Sequence, residues 1–427
     1  MMYRKVFLIA VLALIVSALP LSAMAAPPQQ DGGEDYVVQS GDTLAELADG
    51  FYGDAQAYPA IVEATNQMAA TDDSYSAISD PGSLEVGQKL YIPSGEEAAA
   101  MLEGGMMDTS MEAAMPGVAP VPPTAYGPPI DPEKGYFVEE ISDGLYWLTE
   151  GAYTLMFLTT GEGVIVVDAP PSIGENILNA IAEVTDEPIT HVIYSHSHAD
   201  HIGAAGLYPE DATYIAQAET AAQLDRSLND PNRLMPFGVA SGGAPVPPPT
   251  VTFDDKYTLE VGDQVLELEY RGVNHEPGNI YVYAPKQKTL MLVDIVFPGW
   301  SPFKDLALAE EIPGYIQAHD EALSFDFDTF IGGHLGRPGT REDVETQKEY
   351  MLDIQANAAQ AIQTVDFFAI AGEVGFANPW LLFDTYFDAL AQECSDLTEP
   401  EWVDRLGGVD VFTIDHCLKM IESLRID

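Results

Sequence analysis

The sequence predicts an α/β chain built of mixed layers, and three observations carry that reading. Apolar runs of strand length, such as Ile189-Thr190-His191-Val192-Ile193-Tyr194, are interspersed with helical stretches across residues 133–345. From Arg341 the texture turns helical, over 343–365, 379–394 and 414–424. Several apolar runs end in Asp or His, most densely in Ser195-His196-Ser197-His198-Ala199-Asp200-His201. Strands and helices mixed in this way pack as α/β layers.

The N-terminus is a separate element. Arg4 and Lys5 precede an apolar run over 6–21, followed by Ala23-Met24-Ala25. That pattern predicts a secretory signal over residues 1–25, cut after Ala25. The expectation is an exported protein, periplasmic, cell-wall-associated or extracellular, with no stable membrane insertion after cleavage. Lys and Arg number 17 against 68 Asp and Glu, a formal net charge of −51. Such a field repels polyanions, so nucleic acid is excluded as a partner. Cys394 and Cys417 are the 2 cysteines, and in an exported chain they suit one C-terminal disulfide.

A compact module is expected over residues 35–93, in the order strand, helix, helix, strand. It opens on Tyr36-Val37-Val38-Gln39-Ser40-Gly41-Asp42-Thr43-Leu44 and closes on Gly87-Gln88-Lys89-Leu90-Tyr91-Ile92-Pro93. Those two ends resemble the LysM module, through Tyr36, Val38, Gly41, Asp42, Thr43 and Leu44, then Gly87, Gln88, Leu90, Ile92 and Pro93. Residues 69–81 depart from it as an inserted loop. The resemblance implies a βααβ domain binding peptidoglycan or a chitin-like glycan. Residues 94–132, rich in Ala, Met and Pro, read as an extended tether.

The main domain is expected over 133–345. Strand patterns fall at 136–141, 145–148, 155–159, 163–168, 189–194, 251–253, 264–270, 279–283 and 289–293, with a helix at 173–184. Residues 346–427 form a helical C-terminal region expected to cap it.

Chemistry concentrates in that domain. The chain has 8 histidines among 427 residues, so three in one short stretch are not a packing accident, and buried His and Asp are costly unless paired or metal-bound. His275, in Val273-Asn274-His275-Glu276-Pro277-Gly278, Asp294 after the run 290–293, and His334 after Phe330-Ile331-Gly332-Gly333 extend the set. Asp168 ends the run 164–167 in the same way. Nitrogen and carboxylate donors without thiolate suit two zinc ions and also admit iron or manganese.

With these stretches in this order, the chain resembles the metallo-β-lactamase-fold superfamily. The resemblance implies an αββα sandwich with a dinuclear site at its open edge. Carried over residue by residue, His196, His198 and His275 would hold one metal, Asp200, His201 and His334 the other, with Asp294 bridging. Asp168 would lie behind the ligands as a structural residue. A metal-activated hydroxide would be the nucleophile, with Asp200 orienting it and moving its proton.

The expected reaction is hydrolysis of a small-molecule ester, lactone, thioester or amide. Arg337, Lys304 and Trp300 are the candidate substrate contacts. Asp at 294 favours the broad hydrolase branch, and Glu276 stands where the family often has Ser or Thr. Two further readings stand beside it: a functional metallo-β-lactamase, and a peptidoglycan-binding surface protein with an idle hydrolase domain.

Overall fold

The computed structural model describes residues 118–426 continuously, and before them 33–39, 43–52, 57–69, 87–95 and a few further positions between 72 and 98. The expected signal segment, Ser40, Gly41, Asp42 and residues 99–117 lie outside the described residues. The chain divides into two compact units, 1–113 and 114–427. Among the described residues no helix is long and apolar enough to cross a membrane.

In the first unit, strand β1 (Glu34–Val37) leads to helices α1 (Leu44–Tyr52) and α2 (Tyr58–Ala69), and β2 (Lys89–Ile92) returns antiparallel to β1. Ala48, Ile61, Leu90 and Ile92 form its small buried core with Val38 and Leu44. Thr65 locks α2 to β2, its Oγ1 accepting the Tyr91 N–H at 3.0 Å.

The second unit is a sandwich of two sheets. The first sheet holds β3 (Phe137–Ser142), β4 (Leu145–Thr149), β5 (Thr154–Thr159), β6 (Val164–Val167), β7 (Ile189–Ile193), β8 (Thr213–Gln217) and β9 (Val251–Phe253) in spatial order. Helix α3 (Asn176–Val184) makes the parallel crossover from β6 to β7. A single turn, α4 (Ala199–Ile202), follows β7, and α5 (Ala218–Leu228) follows β8. The second sheet holds β10 (Lys256–Val261), β11 (Gln264–Glu269), β12 (Tyr281–Ala284), β13 (Thr289–Met291) and β14 (Thr329–Ile331), with α6 (Ile312–Ala322) between the last two.

Strand alternation explains the layers. In β6, Ile165 and Val167 face the core between the sheets, where they meet Leu266, Val282 and Met291, while Val164 and Val166 face the outer layer with Ile177 and Ile181 of α3. A strand buried on both faces reads as the continuous apolar run seen in the sequence. The second sheet turns Tyr281 and Leu290 outward. There they meet α7 (Arg341–Thr364), α8 (Phe367–Val374), α9 (Pro379–Trp402) and α10 (Val409–Ile426) in one cluster. The order helix, sheet, sheet, helix is consistent with the expected fold.

Two expectations change in detail. Residues 118–132 are not a free tether, because Ala125 is buried and its carbonyl accepts from the Trp300 indole Nε1 at 3.1 Å, while the Ala119 N–H donates to Asp410 at 2.5 Å. The boundary expected at 345/346 falls inside α7, whose start at Arg341 is fixed by a Thr340–Asp343 capping box. The C-terminal helices belong to the second unit, and a Cys394–Cys417 disulfide joins α9 to α10.

Candidate metal centre

Strand ends converge at one edge of the sandwich. The parallel neighbours β6 and β7 end at Asp168 and Ser195, and the parallel neighbours β13 and β14 run out toward Asp294 and His334. Between the sheets the edge is stitched by Thr154 N–H to the Gly333 carbonyl (2.8 Å) and Leu335 N–H to the Ala152 carbonyl (2.8 Å). Asp168 and Asp294 take positive φ, 68° and 63°, a conformation Asp tolerates better than most residues. Gly333 also has positive φ, and a Cβ there would lie 2.6 Å from Val293 Cγ1.

All seven expected ligands come together in two groups. His196, His198, His275 and Asp294 form one; Asp200, His201 and His334 form the other, and within each group the donor atoms lie within 4.8 Å of one another. Asp294 stands between them. Its Oδ2 is 3.3 Å from His196 Nε2, 3.3 Å from His275 Nε2 and 3.2 Å from His201 Nε2. Its Oδ1 is 3.0 Å from His334 Nε2. His198 turns Nδ1 toward His275 Nε2 at 3.0 Å, and Asp200 Oδ2 lies 3.5 Å from His201 Nε2.

The donor set fits divalent cations. Nitrogens and carboxylate oxygens aimed at a common space, with no thiolate, match borderline and hard metals. His196 Nε2 and Asp294 Oδ1 are buried and make no well-formed hydrogen bond, an arrangement that is costly unless a cation completes it. Burial pushes the His275 imidazole down to about 4 and holds His196 well below its usual value, so both keep a free lone pair. Burial also lowers His201, but Asp294, then Asp200 and Asp168, outweigh it and hold that ring up at about 9. Burial resists ionisation of Asp294, yet His201, His334 and His275 keep its carboxyl well below the usual range.

Asp168 is fully buried and bonds to the segment that carries the first ligands. Its Oδ1 accepts the Ser195 N–H at 2.8 Å, which shapes the turn that delivers His196. Burial, opposed by His201, raises its carboxyl to about 6.

The three candidate substrate contacts have other partners. Arg337 pairs with Asp343 (2.6 Å) and donates to the Thr124 carbonyl, Lys304 pairs with Asp415 (3.0 Å), and Trp300 binds Ala125. None forms a hydrogen bond or ion pair with a ligand side chain, because each anchors neighbouring chain segments instead. Phe297 does reach the centre, its ring centroid 5.7 Å from that of His334.

Other residues were not picked out by the sequence. Tyr153 places its ring 4.4 Å from His334 and its hydroxyl 3.3 Å from Asp200 Oδ2. Buried Asn279 donates to the Val293 carbonyl (2.9 Å) and to Asn274 Oδ1 (3.0 Å), which also accepts the His275 N–H. These bonds fix the His275 loop to the segment carrying Asp294. The local signal was Asn274 directly before His275 and Asn279 four residues after it.

A sequence profile of the Metallo-beta-lactamase superfamily matches residues 148–334, so the second unit carries a domain of that superfamily and has the fold of a metal-dependent hydrolase. The chain is 24% identical over 254 residues to the 2,4-dinitroanisole O-demethylase subunit alpha of Nocardioides sp. (strain JS1661), covering 58% of this chain and 68% of that protein. It is 25% identical over 184 residues to a metallo-beta-lactamase type 2 of Elizabethkingia meningoseptica, covering 41% and 67%. Among solved structures, a metallo-beta-lactamase from Pontibacter korlensis superposes with a TM-score of 0.40 at 19% identity, covering 51% of this chain and 99% of that one.

Proposed function

We propose that this metallo-beta-lactamase superfamily domain is a dinuclear metal-dependent hydrolase acting on an ester, lactone, thioester or amide of a small molecule. The observation that carries the proposal is the placement of Asp294, one carboxylate oxygen facing three imidazoles and the other facing His334. Two divalent cations bound by this donor set would acidify a water and polarise the substrate's acyl oxygen. Zinc is the first choice, with iron or manganese admitted by the same donors.

The chain's own groups divide the remaining work. His196, His198 and His275 bind on one side of Asp294, and Asp200, His201 and His334 on the other. Asp200 turns Oδ2 to His201 and to the Tyr153 hydroxyl, which leaves Oδ1 to take the proton of the attacking water and return it to the leaving group. Tyr153 orients that carboxylate. With Arg337 and Lys304 engaged by Asp343 and Asp415, neither is free to bind a substrate carboxylate. That favours a substrate without an anionic handle over a β-lactam.

The cellular setting is part of the same proposal. Arg4, Lys5 and the apolar run that follows support export, and the motif ends at Tyr36–Leu44 and Gly87–Pro93 support attachment to peptidoglycan. Pelleting with purified peptidoglycan tests the attachment, and deletion of residues 35–93 is expected to abolish it while leaving hydrolysis intact. The activity test is a panel of aryl esters, lactones, thioesters and β-lactams with metal-loaded protein. His198→Ala is expected to lose turnover and keep glycan binding; unchanged turnover in that variant would refute the mechanism.

A further inference from the structure

Glu276 follows the ligand His275 directly, yet its carboxylate does not point at the metal groups. It is 1% exposed, and an ionised carboxylate so deeply buried is expensive unless donors surround it. Four do. Oε1 accepts the Ser197 N–H at 2.6 Å; Oε2 accepts from the Ser197 hydroxyl at 3.2 Å and from Gln223 Nε2 at 3.3 Å. The fourth is His198 Nε2, 3.2 Å from Oε2.

That last contact falls on the edge of the His198 ring opposite its ligating atom. Nδ1 faces His275 Nε2 at 3.0 Å within the first metal group, while Nε2 faces Glu276. A carboxylate can only accept, so the shared proton must sit on Nε2, which leaves the Nδ1 lone pair for a cation. The same carboxylate grips the backbone and side chain of Ser197, the residue between His196 and His198, across a sequence separation of 79.

We propose that Glu276 is a positioning residue for the first metal: it sets the tautomer and ring angle of His198 and locks the 195–201 turn to the His275 loop. The proposal rests on the metal-site reading given above. The second group, Asp200, His201 and His334, has no such contact with Glu276, so the effect of losing the carboxylate is selective for one ion. Ligand histidines held from behind by a carboxylate bind metal about 10- to 100-fold more tightly than those that are not.

The test compares full-length wild type, Glu276→Gln and Ser197→Ala by zinc competition against a chromophoric chelator. Cobalt(II) absorption and histidine-selective nitrogen NMR of the chelator-stripped chains complete it. Wild-type protein that takes up no zinc would defeat the metal-site reading itself. With wild type binding two zinc ions, Glu276→Gln is expected to weaken one about 10- to 100-fold and leave the other within about twofold. Its His198 resonances should shift from the Nε2–H toward the Nδ1–H tautomer, because the amide can present a donor to Nε2. Ser197→Ala, which removes one hold on the carboxylate and keeps the backbone donor, should show a smaller loss at the same ion, and it carries the test if the Gln variant does not fold. Equal weakening of both ions, or an unshifted tautomer with full affinity, would overturn the proposal.

Discussion

The Tyr153 hydroxyl donates to Asp200 Oδ2 across 3.3 Å, joining the loop between β4 and β5 to the turn after β7. Asp200 is the most exposed of the ligand carboxylates, its side chain 41% accessible against 6% for Asp294. It is therefore the one that needs an outside group to fix its direction. Tyr153→Phe removes that donor and keeps the ring packed against His334. The expected outcome is a fall in kcat of about tenfold, the order of one hydrogen bond to a charged group, with KM and metal content little changed. Steady-state kinetics with elemental analysis on the same preparation measures it; an unchanged kcat would remove Tyr153 from the proton path.

The outer helical layer makes the protein acid-sensitive through two histidines that are not ligands. His319 and His416 are fully buried, and burial lowers both from 6.5 to about 4. His416 meets the Tyr350 hydroxyl and the Phe303 carbonyl, while His319 meets the Tyr315 carbonyl and Gln347. A depressed histidine binds protons in the unfolded chain first, so its stabilisation is complete above about pH 6.5 and is lost as pH falls toward 4. Each is worth about 3 kcal/mol at 1.36 kcal/mol per pKa unit. Urea unfolding of chelator-treated protein between about pH 7 and pH 4 should show this loss. His416→Asn should reduce it by about 3 kcal/mol; a variant with the full acid loss would contradict the assignment.

Cys394 and Cys417, separated by 23 residues, tie α9 to α10. Closing a loop of that length restricts the unfolded chain by about 3 kcal/mol. Replacing both with Ser should lower unfolding stability by about that much without altering metal content, since neither Cys belongs to a metal group. A loss of bound metal on reduction would instead show that the outer helices control the site.

Much of the centre was legible because its ligands are either adjacent in sequence or sit where apolar runs stop. His196 to His201 form one turn after β7, and Asp168, Asp294 and His334 each follow a buried strand. The α/β layering followed from strand-length apolar runs interspersed with helical stretches and from the helical texture after Arg341. What the sequence did not reveal depends on tertiary contact. The reach of Glu276 back to Ser197 and the joining of Asn279 to Val293 span long separations. Arg337 and Lys304 looked available as cations only because their partners, Asp343 and Asp415, are a matter of packing. Residues 118–132 have a tether's composition, yet their backbone groups find partners in Trp300, Arg337 and Asp410.

Metal stoichiometry is the most direct measurement of the centre. Full-length protein, dialysed against zinc and then buffer, is expected to retain about two ions per chain, and Asp294→Ala, which removes the carboxylate between the two groups, should retain fewer than one. One ion or none in the wild type, or two in the Asp294 variant, would contradict a centre in which Asp294 serves both metals.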